Sequence, residues 1–425
     1  MHIRNLAGFT VIFCPSPSPV TSVRVLVNAG SLHETQPGTA HFLEHMFFKG
    51  TETMSAVDMN RTIAAIGESN AFTASDRTVY YINTTTRNAT KALKLLCEML
   101  FHPAMNPDDI EKERGVIQEE WQASQDNPAT FFVNRCLLDS FGDTVGHAIV
   151  GTKESIEDLT RDHLVDFRNQ HYTRNNIAFV IAGDLGDYHD IEAVLVNYSA
   201  VEGTFNPYLY HPVTFGAWSE TMVTNFQHES SQAWIGLVTP GMNALEGMNL
   251  GYATDVLHDV LGGGMHSMLF DRIREQLGLA YSVGSMAFPI GLSSPFLCYA
   301  LTSKENVDQC IVEMQGIIEE IAAGKIPSGL LETAMDHYEF VVSSGVETTS
   351  GIAAYANDYF MMKDFWPTRP STDTLALEVD YGFQPHMARF LEAKKDMAGR
   401  VSCVASRMLE GASIFVMNGE SLENL

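Results

Sequence analysis

His41-Phe42-Leu43-Glu44-His45 is the stretch on which the reading of this chain turns. At offsets of three and four residues on a helix, His41, Glu44 and His45 share one face. Two imidazoles one turn apart can hold one zinc ion through their neutral nitrogens, leaving a carboxylate beside the metal. Zinc lowers the pKa of bound water toward about 7, and Glu44 can then take the proton as general base. The competing reading is a helix that happens to carry two surface histidines and a glutamate.

Working outward, a catalytic zinc site takes a third protein ligand. The segment Glu113-Arg114-Gly115-Val116-Ile117-Gln118-Glu119-Glu120-Trp121 ends its acidic run 75 residues after His45. Glu113 and Glu120 are seven residues apart, two turns along one helical face, so either can ligate while the other supports from behind. Glu119 lies about a hundred degrees round, on another face. A solvated acidic helix has the same pattern, and spacing alone leaves both readings open.

The chain around these motifs alternates strands with amphipathic helices. Strands are expected at Val11–Phe13, Val23–Val27, Thr78–Asn83 and Ile177–Ala182. The stretch from Leu6 to Cys14 and the alternation at Val23, Val25 and Val27, on either side of a Pro/Ser turn at Pro15 to Pro19, read as a hairpin and not as a signal peptide. Ala92, Leu93, Leu96, Cys97 and Leu100 have helical spacing, and a second helix is expected after Pro107, where Asp108 and Asp109 suit its positive end. From Leu301 the second half repeats this pattern: Leu301 to Asn306 and the helix to Ile321 resemble Ile82 to Asn88 and the helix that follows. Between the halves, Gly203, Pro207, Pro212 and Gly216 punctuate a helix-poor stretch that reads as a linker. The expected organisation is an N-terminal domain over 1–200, a linker over 201–218 and a homologous C-terminal domain over 219–425.

Composition narrows the function classes. Lys and Arg total 26 against 52 Asp and Glu, a formal net charge of -26. That balance argues against nucleic acid, which demands cationic surface, and against docking on anionic membranes. The six cysteines lack CxxC spacing and read as buried thiols in a reducing compartment, with no disulfide framework or zinc–thiolate site.

Gly30-Ser31-Leu32-His33-Glu34, Gly38-Thr39-Ala40 and the run from His41 to Thr51 resemble the M16 (pitrilysin-like) metallopeptidases, whose zinc motif has this inverted HxxEH order. Asn70-Ala71-Phe72-Thr73 is similar to that family's NAFT segment, and Glu113 to Glu120 to its third-ligand helix. Gly262 to Gly264 and Arg274-Glu275-Gln276-Leu277-Gly278-Leu279-Ala280-Tyr281 resemble its glycine-rich turn and Arg/Tyr signature. The likeness therefore spans both halves. It implies zinc ligands His41, His45 and Glu120, one Zn2+ per chain, Glu44 as general base and Glu113 as a carboxylate behind the ligands. It further implies that Asn70, Ala71 and Phe72 lie on an edge strand that takes the substrate backbone. Arg274 and Tyr281 would hold a substrate carbonyl, with Tyr281 near the developing oxyanion.

The fold implied is α+β, two homologous αβ halves that enclose a chamber as a dimer, in the short two-domain branch related to mitochondrial processing peptidase. Because this chain holds both the zinc set and the Arg/Tyr pair, a homodimer is expected, acting on peptides or unfolded segments as a zinc endopeptidase. The alternative is a non-catalytic scaffold or partner subunit, which typically loses part of one set or the other. The lack of a basic transit segment points to a bacterial, cytoplasmic protein. Two departures stand out. Met268 occupies a place where the family often has arginine, and the second half carries Asp255, His258 and Asp259 where the first has its metal motif. His266 reads as a polar loop residue, not a ligand.

Overall fold

Ile177–Gly183 is apolar at every position and buried along its whole length, which a strand achieves only with neighbours on both edges and cover on both faces. The computed structural model describes residues 1–184, 189–198, 223–243, 248–288, 293–362, 377–378 and 383–419, and it gives this strand both. The first sheet comprises β1 (His2–Leu6), β2 (Phe9–Pro15), β3 (Val20–Val27), β4 (Gly67–Thr73), β5 (Thr78–Thr85), β6 (Ile177–Gly183) and β11 (Leu377–Glu378). Its order is β11-β1-β2-β6-β3-β5-β4, so β4 is an edge. The second comprises β7 (Val223–Phe226), β8 (Ala233–Asn243), β9 (Ala280–Ala287), β10 (Ser293–Thr302) and β12 (Ser413–Met417), in the order β7-β12-β8-β10-β9.

The expected strands form, but the expected hairpin does not. β6 lies between β2 and β3, parallel to the first and antiparallel to the second. Three prolines in the connection (Pro15, Pro17, Pro19) remove backbone donors, and the all-apolar β6 takes the most protected slot. The real hairpin is β1–β2, closed by Ala7 and Gly8 at φ 51° and 85°, the two-residue geometry that matches strand twist.

Side chains of the first sheet alternate between two cores. Phe9, Val11, Phe13, Val23, Val25, Val27, Phe179 and Ile181 face the helices Thr39–Met46, Ala56–Ile66, Ala89–Phe101 and Arg161–His171. Ile12, Leu26, Ala178, Val180 and Ala182 face the other way, against Ala353 and Ala356 of the helix Thr349–Met362. Alanines on both partners let that helix approach the sheet closely. Arg24, almost fully buried on this face, donates from one nitrogen to Ser350 O and Oγ at 2.8 and 2.9 Å. Its guanidinium lies over the Tyr81 ring at 4.7 Å, which completes the helix's anchorage.

The chain divides into two compact units that are not consecutive. The first contains Met1–Ala123, His147–Tyr208 and Ser343–Pro385; the second contains Ser124–Gly146, Leu209–Val342 and His386–Leu425. The helix Thr349–Met362, late in the chain, thus covers the first sheet. The helix Pro128–Val145 inserts Phe132 and Cys136 among Val238, Leu297, Phe415 and Met417 of the second unit. The linker expected over 201–218 lies outside the described residues.

The repeat read between the halves has a structural counterpart. After β5 comes a short 3-10 turn, Thr86–Asn88, then the helix Ala89–Phe101; after β10 come Lys304–Asn306 and Val307–Ala322. Asn88 and Asn306, at the two helix entries, have nearly the same backbone angles, φ -104° and ψ 1° against φ -99° and ψ 0°. No disulfide forms among the described residues; five cysteines are buried, while Cys403, expected to be buried, is exposed on the surface of the helix Met397–Met408. Among the described residues, no helix is long and apolar enough to cross a membrane.

Two histidines flanking the motif region are held neutral inside the first unit. The rings of His33 and His171 lie 5.6 Å apart, and burial pushes each pKa down to about 4, His171 further opposed by His33. A histidine that binds its proton more weakly folded than unfolded stabilises the fold above its unfolded pKa, near 6.5, and that stability is lost as pH falls toward 4. The Tm of the protein should therefore drop between pH 7 and 5, and His171→Gln should shrink that drop. An unchanged drop in the variant would show that His171 is not the titrating group.

Candidate metal centre

The motif helix Thr39–Met46 starts at Gly38, whose φ of 88° and whose closeness to Val150 O, 2.7 Å from where a Cβ would sit, require glycine. Ala40, Phe42, Leu43 and Met46 are buried in the core. That apolar stripe fixes the rotation of the helix, so His41, Glu44 and His45 emerge together on its remaining face. The acidic helix Pro107–Asp126 buries Ile110, Glu113 and Ile117, and Glu120, three residues further on, continues that face toward the histidines.

His41 Nε2 lies 3.7 Å from one oxygen of Glu120, and His45 Nε2 lies 3.6 Å from the other. These separations are too long for hydrogen bonds. They are close to the roughly 3.3 Å between ligand atoms on a tetrahedral zinc with bonds of about 2.0–2.1 Å. Ligand atoms of His41, His45 and Glu120 all fall within 4.8 Å of one another, the one group of three such residues that converges in this way among the described residues. The donor chemistry fits the ion: two imidazole nitrogens and a carboxylate oxygen are a zinc set, with a position left open for water. Glu119 lies outside the group.

Protonation supports the same use. Burial, and then the neighbouring His45, push His41 down to about 4, so it is neutral at physiological pH, as a metal ligand must be. His45 behaves differently. Burial pulls its pKa down, but the hydrogen bond and charge of Glu113, with the charges of Glu120 and Glu44, outweigh that and raise it. Its Nδ1 donates to Glu113 Oε1 at 2.9 Å, which leaves Nε2 toward Glu120. Glu113 is itself buried, which would raise its carboxyl. Hydrogen bonds from His45 and Lys49 reverse that and hold it below the usual range. Glu44 is raised by burial, an effect reduced by Thr73 and His45 and reinforced by Glu120. Thr73 Oγ1, on β4, donates to Glu44 Oε2 at 2.5 Å.

Lys49 and Thr73 are contacts that motif reading passes over. Lys49 lies in the turn just past the end of the motif helix, so helical spacing gives no signal for its contact with Glu113. Thr73 closes the NAFT segment, but only strand pairing shows that it reaches Glu44. On β4, Asn70 and Phe72 are exposed and Ala71 is half-buried, along the strand's free edge. In the second unit, Arg274 lies on the π-helical turn Phe270–Gln276, and Tyr281 near the start of β9. Arg274's guanidinium is 4.7 Å from the Phe270 ring centre and 5.4 Å from that of Tyr281, which is 75% exposed. Met268 is buried, and His266 Nε2 pairs with Asp259 at 3.1 Å.

Residues 11–153 match the family described as insulinase (peptidase family M16), and residues 158–338 match the peptidase M16 inactive domain. An uncharacterised zinc protease of Rickettsia bellii is 34% identical over 310 residues, covering 71% of this chain and 73% of the relative. One of Bacillus subtilis is 30% identical over 338 residues, covering 77% and 80%. Among solved structures, a protease from Helicobacter pylori superposes with a TM-score of 0.84 at 20% identity, covering 98% of this chain and 99% of the other. The M16 inactive domain from Pseudomonas fluorescens gives 0.83 at 17%, covering 100% and 98%.

The convergence on Glu120 and not on Glu119 can be measured. Zinc affinity of Glu120→Gln should fall by at least the roughly 10–100-fold that losing a supporting partner costs, while Glu119→Gln should bind zinc as the parent does. The reverse order would move the ligand by one residue.

Proposed function

This chain belongs to peptidase family M16, and on that premise we propose that it is a zinc endopeptidase with His41, His45 and Glu120 as ligands and Glu44 as general base. The observation that carries the reading is the approach of those three ligand atoms to one another with Glu44 one residue from His45. Relatives named zinc proteases support the metal and the hydrolase class. One zinc ion per chain, when bound, supplies a Lewis acid that acidifies water and polarises the scissile carbonyl.

The protein's own groups divide the remaining work. Glu44, raised by burial, is a stronger base than a solvated carboxylate and accepts the proton of the attacking water, then delivers it to the departing amine. Thr73 holds one oxygen of Glu44 by its hydrogen bond, which leaves the other for proton transfer. Glu113 fixes the His45 tautomer and ring plane. The free edge of β4 at Asn70, Ala71 and Phe72 pairs with an extended substrate backbone, which selects peptides and unfolded segments over folded chains. Arg274 and Tyr281 take a substrate carbonyl, Tyr281 donating to the oxyanion. A homodimer enclosing the substrate completes the proposal.

The second half's helix Met248–Gly262 carries Asp255, His258 and Asp259, and the match of residues 158–338 to an inactive domain accords with a single catalytic set per chain. The chain retains every element of that set, which favours an enzyme over a scaffold subunit.

Replacing Glu44 by Gln preserves shape and removes the base. Cleavage of an unstructured peptide library, followed by mass spectrometry, should slow by about 10²–10⁴-fold while zinc content stays that of the parent. Undiminished cleavage would refute the assignment of Glu44, and loss of zinc in this variant would make Glu44 a ligand.

A further inference from the structure

The motif helix begins without the side chain that normally caps one. Its N-cap is Gly38, which has none, and the first turn of a helix leaves backbone N–H groups in need of acceptors. Glu34 supplies them from four residues upstream. Its Oε1 accepts from Gly38 N–H at 2.7 Å and its Oε2 from Ala40 N–H at 2.8 Å. The same Oε1 pairs with His147 Nε2 at 2.8 Å, and the side chains of both residues are almost completely enclosed, 0% exposed for Glu34 and 6% for His147. Against a carboxylate acceptor, Nε2 of His147 carries the proton. A buried carboxylate with three donors is fully satisfied, whereas the same group with one donor removed is costly.

The turn capped in this way is the one that carries His41, while His45, a turn further on, is held separately by Glu113. The segment that begins at His147 also reaches the second ligand-bearing helix. Gln36 donates to Ser155 O at 3.3 Å, and Arg114, next to Glu113, donates to Leu159 O at 2.7 Å and to Ile156 O. Residues 147–159 therefore touch the entry of the motif helix and the acidic helix alike, and are placed to set the spacing between His41 and Glu120.

We infer that Glu34 and His147 are a positioning pair for the metal centre: they hold the first turn of the motif helix so that His41 points at Glu120. The inference rests on the zinc reading above. Glu34 touches neither metal nor substrate and acts through His41.

The test uses the full chain, stripped of metal by a chelator and titrated with Co(II), whose visible absorption reports coordination number and ligand set. Glu34→Ala should weaken Co(II) binding by about 10–100-fold and give a spectrum like that of His41→Ala, not His45→Ala. Peptide kcat should fall in parallel with KM little changed, because the β4 edge is untouched. Glu34→Gln, whose amide oxygen can stand where Oε1 does and accept from both Gly38 N–H and His147 Nε2, loses only the Ala40 contact and should recover most of the affinity. If Glu34→Ala fails to fold by circular dichroism, His147→Ala takes its place with the same expected spectral change. Parent-like affinity, spectrum and kcat in the folded variant would overturn the inference while leaving the zinc reading intact. Failure of the parent chain to take up Co(II) would instead overturn the zinc reading, and this inference with it.

Discussion

The hydrogen bond from His45 Nδ1 to the buried Glu113, 2.9 Å long, is the contact on which the candidate centre depends. Among the described residues it is the only hydrogen bond between the two motif histidines and the acidic helix. Without it, the packed helices would still bring the histidines and Glu120 together, but the ring plane and tautomer of His45 would be unset. With it, one nitrogen of His45 is spent on a carboxylate and the other is left facing Glu120, 3.6 Å away. Lys49 balances the second oxygen of Glu113. That makes ionised Glu113 tolerable at a buried position, where an unpaired carboxylate would be strongly disfavoured.

Behind this contact lies the core that fixes each helix's rotation. Phe42, Leu43 and Met46 on one helix, and Ile110 and Ile117 on the other, are buried in the same cluster. The polar faces are consequences of that packing. Thr73 adds a link of a different kind, joining the edge strand proposed to receive substrate to the proposed base. The proposed pairing of substrate on β4 and the orientation of Glu44 thereby share one strand. The two units also share a construction, since each sheet is covered on one face by a helix drawn from the other half of the chain.

Much of this was legible in the sequence because it is local. The HxxEH spacing, the seven-residue interval between Glu113 and Glu120, and the strands at Val23 and Thr78 all follow from helix and strand periods. The repeat at Asn88 and Asn306 was legible as a pattern because the same short turn recurs before each helix. What escaped was long-range. Nothing near Val11 announces that β6, more than 160 residues later, will separate it from Val23, and local alternation instead favoured a hairpin. The same holds for Thr349–Met362, whose alanines show no affinity for the first sheet until the sheet's own Ala178 and Ala182 are seen opposite. Glu34 and His147 are 113 positions apart, and each alone reads as an ordinary polar residue.

His41, His45 and Glu120 are proposed to hold one zinc ion between them. Crystals of the zinc-loaded protein, measured on both sides of the zinc absorption edge, address it directly. The expected result is a single strong anomalous peak per chain, within about 2.0–2.2 Å of one nitrogen of each histidine and one oxygen of Glu120. A zinc peak bound elsewhere, or one coordinated by Glu119 in place of Glu120, would contradict it.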